Sequence, residues 1–386
     1  MAITTLTLGT TRALVAAFGL LAVSGVGLAR GVATRGIQTV TIRDDTTFAG
    51  TVARLSEPAG YFDSDNLISN ETSYLHAVSH LRAIGVHGGA YIGVGPDQNF
   101  SYIARIRPEV AVLVDIRRDN LLEQLLFKAL FDLSRDRLEY LALLTGRPVP
   151  PSRDPSQPIE RIVEYMDSTP MQVEAFEAAH RRAVERIRGY DIPIADAEWQ
   201  TIRRFHSAFA EQGLGLRFES FGRAPQPYYP NLRQLILERD REGRQASYLA
   251  TDEAFQFVRS LQVRNLVIPA VGDLAGSQAL PAIARFLRER DQRVSAYYIS
   301  NVDFYVAQEG KIDAFMANVK QLPIDQRSVI IRSVFRGPAS MPLPQTGSAW
   351  RSTQLLQSIE TLVAEYDAGR VRSYDELVLT GSSATR

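Results

Sequence analysis

The residues of this 386-residue chain best suited to chemistry lie between positions 88 and 120, in GGAYIGVGPDQNFSYIARIRPEVAVLVDIRRDN. Gly93 and Gly95 can turn the backbone sharply and let a ligand approach it without a side chain in the way. Asp97, Gln98 and Asn99 follow at the start of a short helical stretch, where free backbone amides favour a polar or negatively charged group. Asp115 comes 20 residues after Gly95 and ends the apolar run VAVLV. A carboxylate there can accept hydrogen bonds from ribose hydroxyls. Turn, helix and carboxylate in this order describe a site for a nucleotide-like small molecule. They equally describe an ordinary strand–turn–helix unit with a solvated Asp at a strand end, because such motifs recur without function.

These residues need strands to hold them. Residues 89–94 and 110–114 are apolar and too short for helices, so they predict buried strands. The pattern returns downstream: 265–271 (NLVIPAV), 293–299 (RVSAYYI) and 327–335 (RSVIIRSVF) predict strands, with helices over 278–290 and 311–320 between them. A further strand is expected within 214–224. Alternating strands and helices predict an α/β fold with a doubly wound, Rossmann-like sheet. Ligands of such sheets lie beyond the carboxyl ends of the strands, which adds Asp273, Asn301 and Asp303 to the candidates.

The rest of the chain reads mainly as helix. A helix is expected over 63–85, capped by Ser69 or Asn70 with Glu71 in its first turn. A long helix or helix pair is expected over 121–144, and an amphipathic helix over 352–367. His76 and His80 stand four apart, a spacing that suits a metal, but the HExxH pattern is absent. A polar helix face is the better expectation for them. A proline-rich break at 148–158, followed by helical periodicity over 159–212, predicts a helical insertion at 148–213. It divides the sheet domain into 36–147 and 214–336. The aromatic loop around Tyr228 and Tyr229 either lines a pocket or packs on the surface. Residues 337–386 are expected to form a loop, a helix and a loose tail.

Composition narrows the function classes. Lys+Arg and Asp+Glu both number 43, and no basic stripe marks a nucleic-acid partner. The absence of cysteine excludes disulfides, thiolate nucleophiles and Cys-ligated zinc. Neither a GxxxxGK[ST] phosphate loop nor a GxSxG nucleophile elbow occurs. Arg12 precedes a 16-residue uncharged run at 13–28, the length of a signal-peptide core and short of the roughly 20 residues of a spanning helix. Residues 1–35 are therefore expected to be a signal peptide or membrane anchor, placing the chain in the periplasm or cell envelope. A start codon assigned too far upstream would instead leave it cytoplasmic.

The order of glycine turn, carboxylate at the end of the second strand and Gly272-Asp273 after a later strand resembles the class I S-adenosylmethionine-dependent methyltransferases. The resemblance implies that Gly93, Gly95 and the amides near Asp97, Gln98 and Asn99 surround the cofactor, S-adenosyl-L-methionine. It implies that Asp115 holds its ribose. Asp273 then faces the adenine or the methyl acceptor, and Asn301 and Tyr298 face the acceptor. Asp273 and Asn301 are the candidates for a catalytic role, which the pattern otherwise leaves unassigned. Two positions depart from the family pattern: Tyr91 stands where a carboxylate is usual, and Asp97 where a third glycine is usual. The stretches DNLISNE (65–71), GGAYIGVGPDQNFSYI (88–103), VDIRRDN (114–120), IPAVGDLAG (268–276) and SAYYISNVDFY (295–305) also resemble a group of uncharacterised bacterial proteins on the same core. The implied activity is methyl transfer to an unknown acceptor, which needs alignment more than a catalytic base. The alternative is an exported, non-enzymatic small-ligand-binding or envelope protein on a degenerate version of that fold, since S-adenosylmethionine is made in the cytoplasm.

Overall fold

The computed structural model describes residues 47–222, 226–335, 352–380 and 382–384. The expected leader at 1–35 and the loop at 337–350 lie outside them. In chain order, α1 (Phe48–Leu55) and α2 (His76–Ala83) precede β1 (Ala90–Gly93), and α3 (Gln98–Ile106) leads to β2 (Val110–Asp115). There follow α4 (Arg118–Leu133), α5 (Arg137–Leu144), α6 (Ile159–Ser168), α7 (Val173–Arg188), α8 (Asp196–Gln212), α9 (Leu232–Ile236) and α10 (Asp252–Val263). The chain then returns to the sheet through β3 (Val267–Val271), α11 (Ala279–Glu289), β4 (Val294–Ser300), α12 (Val302–Gln308), α13 (Ile312–Val319) and β5 (Val329–Phe335). It closes with β6 (Ser352–Ser358), α14 (Ile359–Asp367), α15 (Tyr374–Leu379) and β7 (Ser382–Ala384).

The fold is mixed α/β with one mostly parallel sheet, ordered β3-β2-β1-β4-β5-β6-β7. β3, β2, β1, β4 and β5 run parallel, β6 is antiparallel to β5, and β7 is antiparallel to β6. Strand order grows outward from β1 on one side and from β4 on the other, so the direction of winding reverses between them. β1, β2 and β3 are apolar along their length because helices cover both faces of a parallel sheet, and all their residues but Asp115 are buried. The helices over 159–212 share this core: Ile162, Ala183 and Phe205 join the same buried cluster as Ile92 and Val112.

Three expectations are corrected. Residues 352–358 form a strand, not the first half of a helix, because their polar side chains are satisfied across the sheet. Gln354 Nε2 donates to Ser333 Oγ at 2.7 Å, and Gln357 accepts from Arg332. Where a strand is expected within 214–224, the described residues up to 222 hold a short 3₁₀ turn at Gly213–Gly215 and one isolated bridge, Arg217 to Asn231. The helix expected over 63–85 begins only at His76; Ser69 Oγ accepts from the Glu71 amide at 3.2 Å, and Glu71 itself is buried. Beyond these, the chain's end carries α15, capped by Ser373, and the short β7 where a loose tail is expected. Among the described residues no helix is long and apolar enough to cross a membrane.

Candidate functional site

A cleft of about 180 Å³ opens beyond the carboxyl ends of β1, β2, β3 and β4. Each strand end delivers part of its wall: Gly95 and Gln98 after β1, Asp115 and Arg117 at β2, Gly272 and Asp273 after β3, Ser300 and Asn301 at β4. Tyr61, Phe62, Phe218, Tyr229 and Tyr305 add an aromatic side, with Phe62 and Tyr305 edge to face at 5.2 Å. Tyr228, the neighbour of Tyr229, stays at the surface.

The glycine turn is tied from within. Asn99 is fully buried, and its Nδ2 donates to the carbonyls of Val94, Gly95 and Pro96 at 2.9, 3.2 and 2.8 Å. Its Oδ1 accepts from the Tyr91 hydroxyl at 2.8 Å. A Cβ on Gly93 would fall 1.9 Å from that Oδ1, so glycine is required there by the knot. Gly95 has φ +82°, the left-handed region, and faces the cleft. The expected cluster therefore divides. Gly95 and Gln98 reach the cleft; the side chains of Asp97 and Asn99 turn inward, and Gly93 lies beneath the turn. Asp97 accepts from the Tyr248 hydroxyl at 3.2 Å. Burial raises its pKa to about 6 against the opposing effect of that bond.

Asp115 lines the cleft but already has a partner. Arg117 donates to Oδ1 from its backbone amide and Nε, both at 3.0 Å, and to Oδ2 from Nη2 at 2.9 Å. Arg117 is itself buried. Burial works against its charge, yet the charge and hydrogen bonds of Asp115, together with the charges of Glu123 and Asp119, raise its pKa. Each carboxylate oxygen can accept about two hydrogen bonds. Oδ1 is filled by these bonds, and Oδ2 keeps one position. Asp273 forms a turn with its Oδ1 accepting from the Ala275 amide at 2.9 Å, and Lys311 Nζ lies 3.4 Å from Oδ2. Asn301 lines the cleft beside Ser300, a non-glycine residue at φ +52°. Asp303 does not reach the cleft: it is buried in a pair with Arg332 at 2.6 Å.

Sequence reasoning missed a polar network beneath the cleft. Tyr298 and Ser300 donate to Glu71 Oε1 at 2.7 and 2.5 Å, and Gln354 donates to Oε2 at 3.1 Å. Gln98 Nε2 extends the chain to the Tyr298 hydroxyl at 3.3 Å. Burial raises the pKa of Glu71 against the hydrogen bonds of Ser300, Ser333, Tyr298 and Gln354. No local signal marks this network, because its bonds join residues more than 190 positions apart in sequence. His76 lies 3.6 Å from Glu238, and among the described residues no group of three or more His, Cys, Asp or Glu side chains is placed to hold a metal.

A family model described as a domain of unknown function (DUF7790) matches residues 67–373. The chain belongs to the DUF7790 family. No curated protein matches the sequence. The DUF7790 match covers β1 through β6, and with them Gly95, Gln98, Asp115, Asp273 and Asn301. The cleft residues Tyr61, Phe62, Asp63 and Asn66 precede it.

Proposed function

We propose that this DUF7790 protein binds an adenosyl ligand in the cleft and acts as an S-adenosylmethionine-dependent methyltransferase with an acceptor still to be identified. The observation that carries the reading is positional. A left-handed glycine turn after β1 and a carboxylate at the end of β2 meet in one cleft, at the point where the sheet reverses its winding. That is where doubly wound, Rossmann-like sheets hold nucleotide-like ligands. In this reading Gly95 meets the ligand through its backbone. The remaining acceptor position on Asp115 Oδ2 takes one ribose hydroxyl. Asp273 and Asn301 stand across the cleft on the adenine or acceptor side. No residue is assigned as a base, since methyl transfer depends mainly on alignment of nucleophile and methyl group.

One observation favours a second reading. Arg117 already satisfies most of Asp115, as it would in a protein whose ribose-binding function has been lost. That reading makes the chain a non-enzymatic binder of another small polar molecule, exported if residues 1–35 act as a leader. Calorimetric titration of the full chain with S-adenosylmethionine and S-adenosylhomocysteine separates the two. Binding of both at about micromolar Kd is expected. A folded protein that binds neither would overturn the methyltransferase reading and leave the second.

A further inference from the structure

A second cavity, of about 380 Å³, opens where β1 and β2 begin, away from the cleft at their carboxyl ends. Leu81, Val86, Ile106 and Ala254 give it an apolar lining. Four guanidiniums line it as well: Arg82 from α2, Arg105 and Arg107 from the end of α3, and Arg244 from the turn before α10. The carboxylates nearby are already taken. Asp240 accepts from the amides of Glu242 and Arg244 at 2.9 and 3.0 Å, and from Arg244 Nε and Nη2 at 3.0 and 2.8 Å. Four bonds fill both of its oxygens. Glu253 pairs with Arg107 at 2.5 Å, and Glu242 pairs with Arg82 and Arg244, each at 2.5 Å.

Arg105 is left over. Its Nε and Nη2 donate to the carbonyls of Ala246 and Gln245 at 3.1 and 3.2 Å, and among the described residues no carboxylate forms an ion pair with it. A guanidinium has five N–H donors, so most of its donors stay unused. Burial works against the charge of Arg105, Asp240 supports it, and Arg244 and Arg107 repel it. A half-buried cation crowded by two others calls for an anion. Gln245 Oε1, on another residue of the lining, is buried with no hydrogen-bond partner and calls for a donor. We propose that this cavity binds a phosphate group on Arg105, either free or as the monoester of a small hydroxylated molecule. Phosphate carries close to two negative charges at about pH 7. It fits the guanidinium fork and offers acceptors in several directions, where a carboxylate offers them in one plane. Its own P–OH, or a hydroxyl of the ester, supplies the donor for Gln245. This site does not depend on the adenosyl reading of the cleft.

The test titrates inorganic phosphate, glycerol 1-phosphate and acetate calorimetrically into the full chain, at constant ionic strength in a buffer free of phosphate. Phosphate or its ester is expected to bind at about millimolar Kd or tighter, and acetate at least about tenfold more weakly. A tighter Kd for glycerol 1-phosphate identifies the ester as the ligand; otherwise the ligand is free phosphate. Arg105→Gln should weaken that binding at least about tenfold. Arg290→Gln, at an exposed arginine outside the cavity, should leave it unchanged. No saturable binding of either phosphate compound, acetate bound as tightly as phosphate, or binding that survives Arg105→Gln would overturn the proposal and leave the Arg105 donors to water. Should Arg105→Gln fail to fold, Arg107→Gln takes its place. It removes a neighbouring cation and frees Glu253 to repel the anion, so weaker phosphate binding is expected and undiminished binding overturns the proposal.

Discussion

At the scale of single residues, Arg117 governs what Asp115 can do. Arg117 is 6 % exposed, and its guanidinium grips the carboxylate twice and donates to the carbonyls of Ser64 and Asp65. Asp115 is thus both a cleft carboxylate and the counter-charge of a buried cation. Removing one member of a buried pair strands the other, at about 3–5 kcal/mol. Asp115→Ala is expected to lower the unfolding free energy by about that amount. Asp115→Asn, which keeps an acceptor for Arg117, should lose clearly less. Urea denaturation of both variants measures this. Equal, small losses would show that the guanidinium finds water when its partner is gone. For ligand binding, Asp115→Asn is accordingly the cleaner substitution.

At the scale of elements, the parallel strands and the glycine turn were legible because their physics is local. A strand covered on both faces is apolar throughout, and β1, β2 and β3 read directly as such runs. β6 was not legible, since Gln354 and Gln357 look solvated until Ser333 and Arg332 are placed opposite them. Glu71 and Arg105 were hidden for the same reason: a helix or capping pattern says nothing about a partner, or the lack of one, far away in sequence. The α7–α8 pair shows a further case. The sequence places His180 and His206 only within the helical stretch over 159–212, yet both are buried with their Nδ1 atoms 3.2 Å apart. His206 Nε2 meets the Leu143 carbonyl at 3.0 Å, so it carries the proton and its Nδ1 accepts from His180. Burial lowers the His206 pKa from 6.5 to about 4. The unfolded chain therefore binds the extra proton first. Stability is complete above pH 6.5 and falls as the pH drops toward 4, by about 3 kcal/mol for this one group. Denaturation measured from pH 7.5 to 4.5 should show that decline, and His206→Gln should flatten it. A wild-type slope unchanged by the substitution would refute the assignment.

At the scale of the molecule, the cleft is closed by a segment that belongs to none of the strands it crosses. Ser56 Oγ accepts from the Val271 amide at 3.0 Å, the Glu57 amide donates to the Val271 carbonyl at 2.9 Å, and the Gly60 amide donates to the Ile116 carbonyl at 2.8 Å. The chain thus passes over the ends of β3 and β2 before Tyr61, Phe62 and Asn66 wall the cleft. Glu57 is its anchor. The carboxylate accepts from the amides of Asp273, Gln278 and Ala279 at 2.7, 3.1 and 3.0 Å. It serves as the cap that Gln278 does not give α11, at the helix end where negative charge is favoured. Gly276 leaves it room, since a Cβ there would lie 2.4 Å from Glu57 Oε1. One side chain therefore couples the cleft wall, the Asp273 turn and α11. Glu57→Ala is expected to cost about 1–3 kcal/mol, the range of a lost charge-assisted cap. Hydrogen exchange at Gly60, Asp273, Gln278 and Ala279 should quicken together, while amides within β1 stay protected. Faster exchange at the α11 amides alone would mean that the segment over the cleft is held without Glu57, and that its wall and the helix are independent.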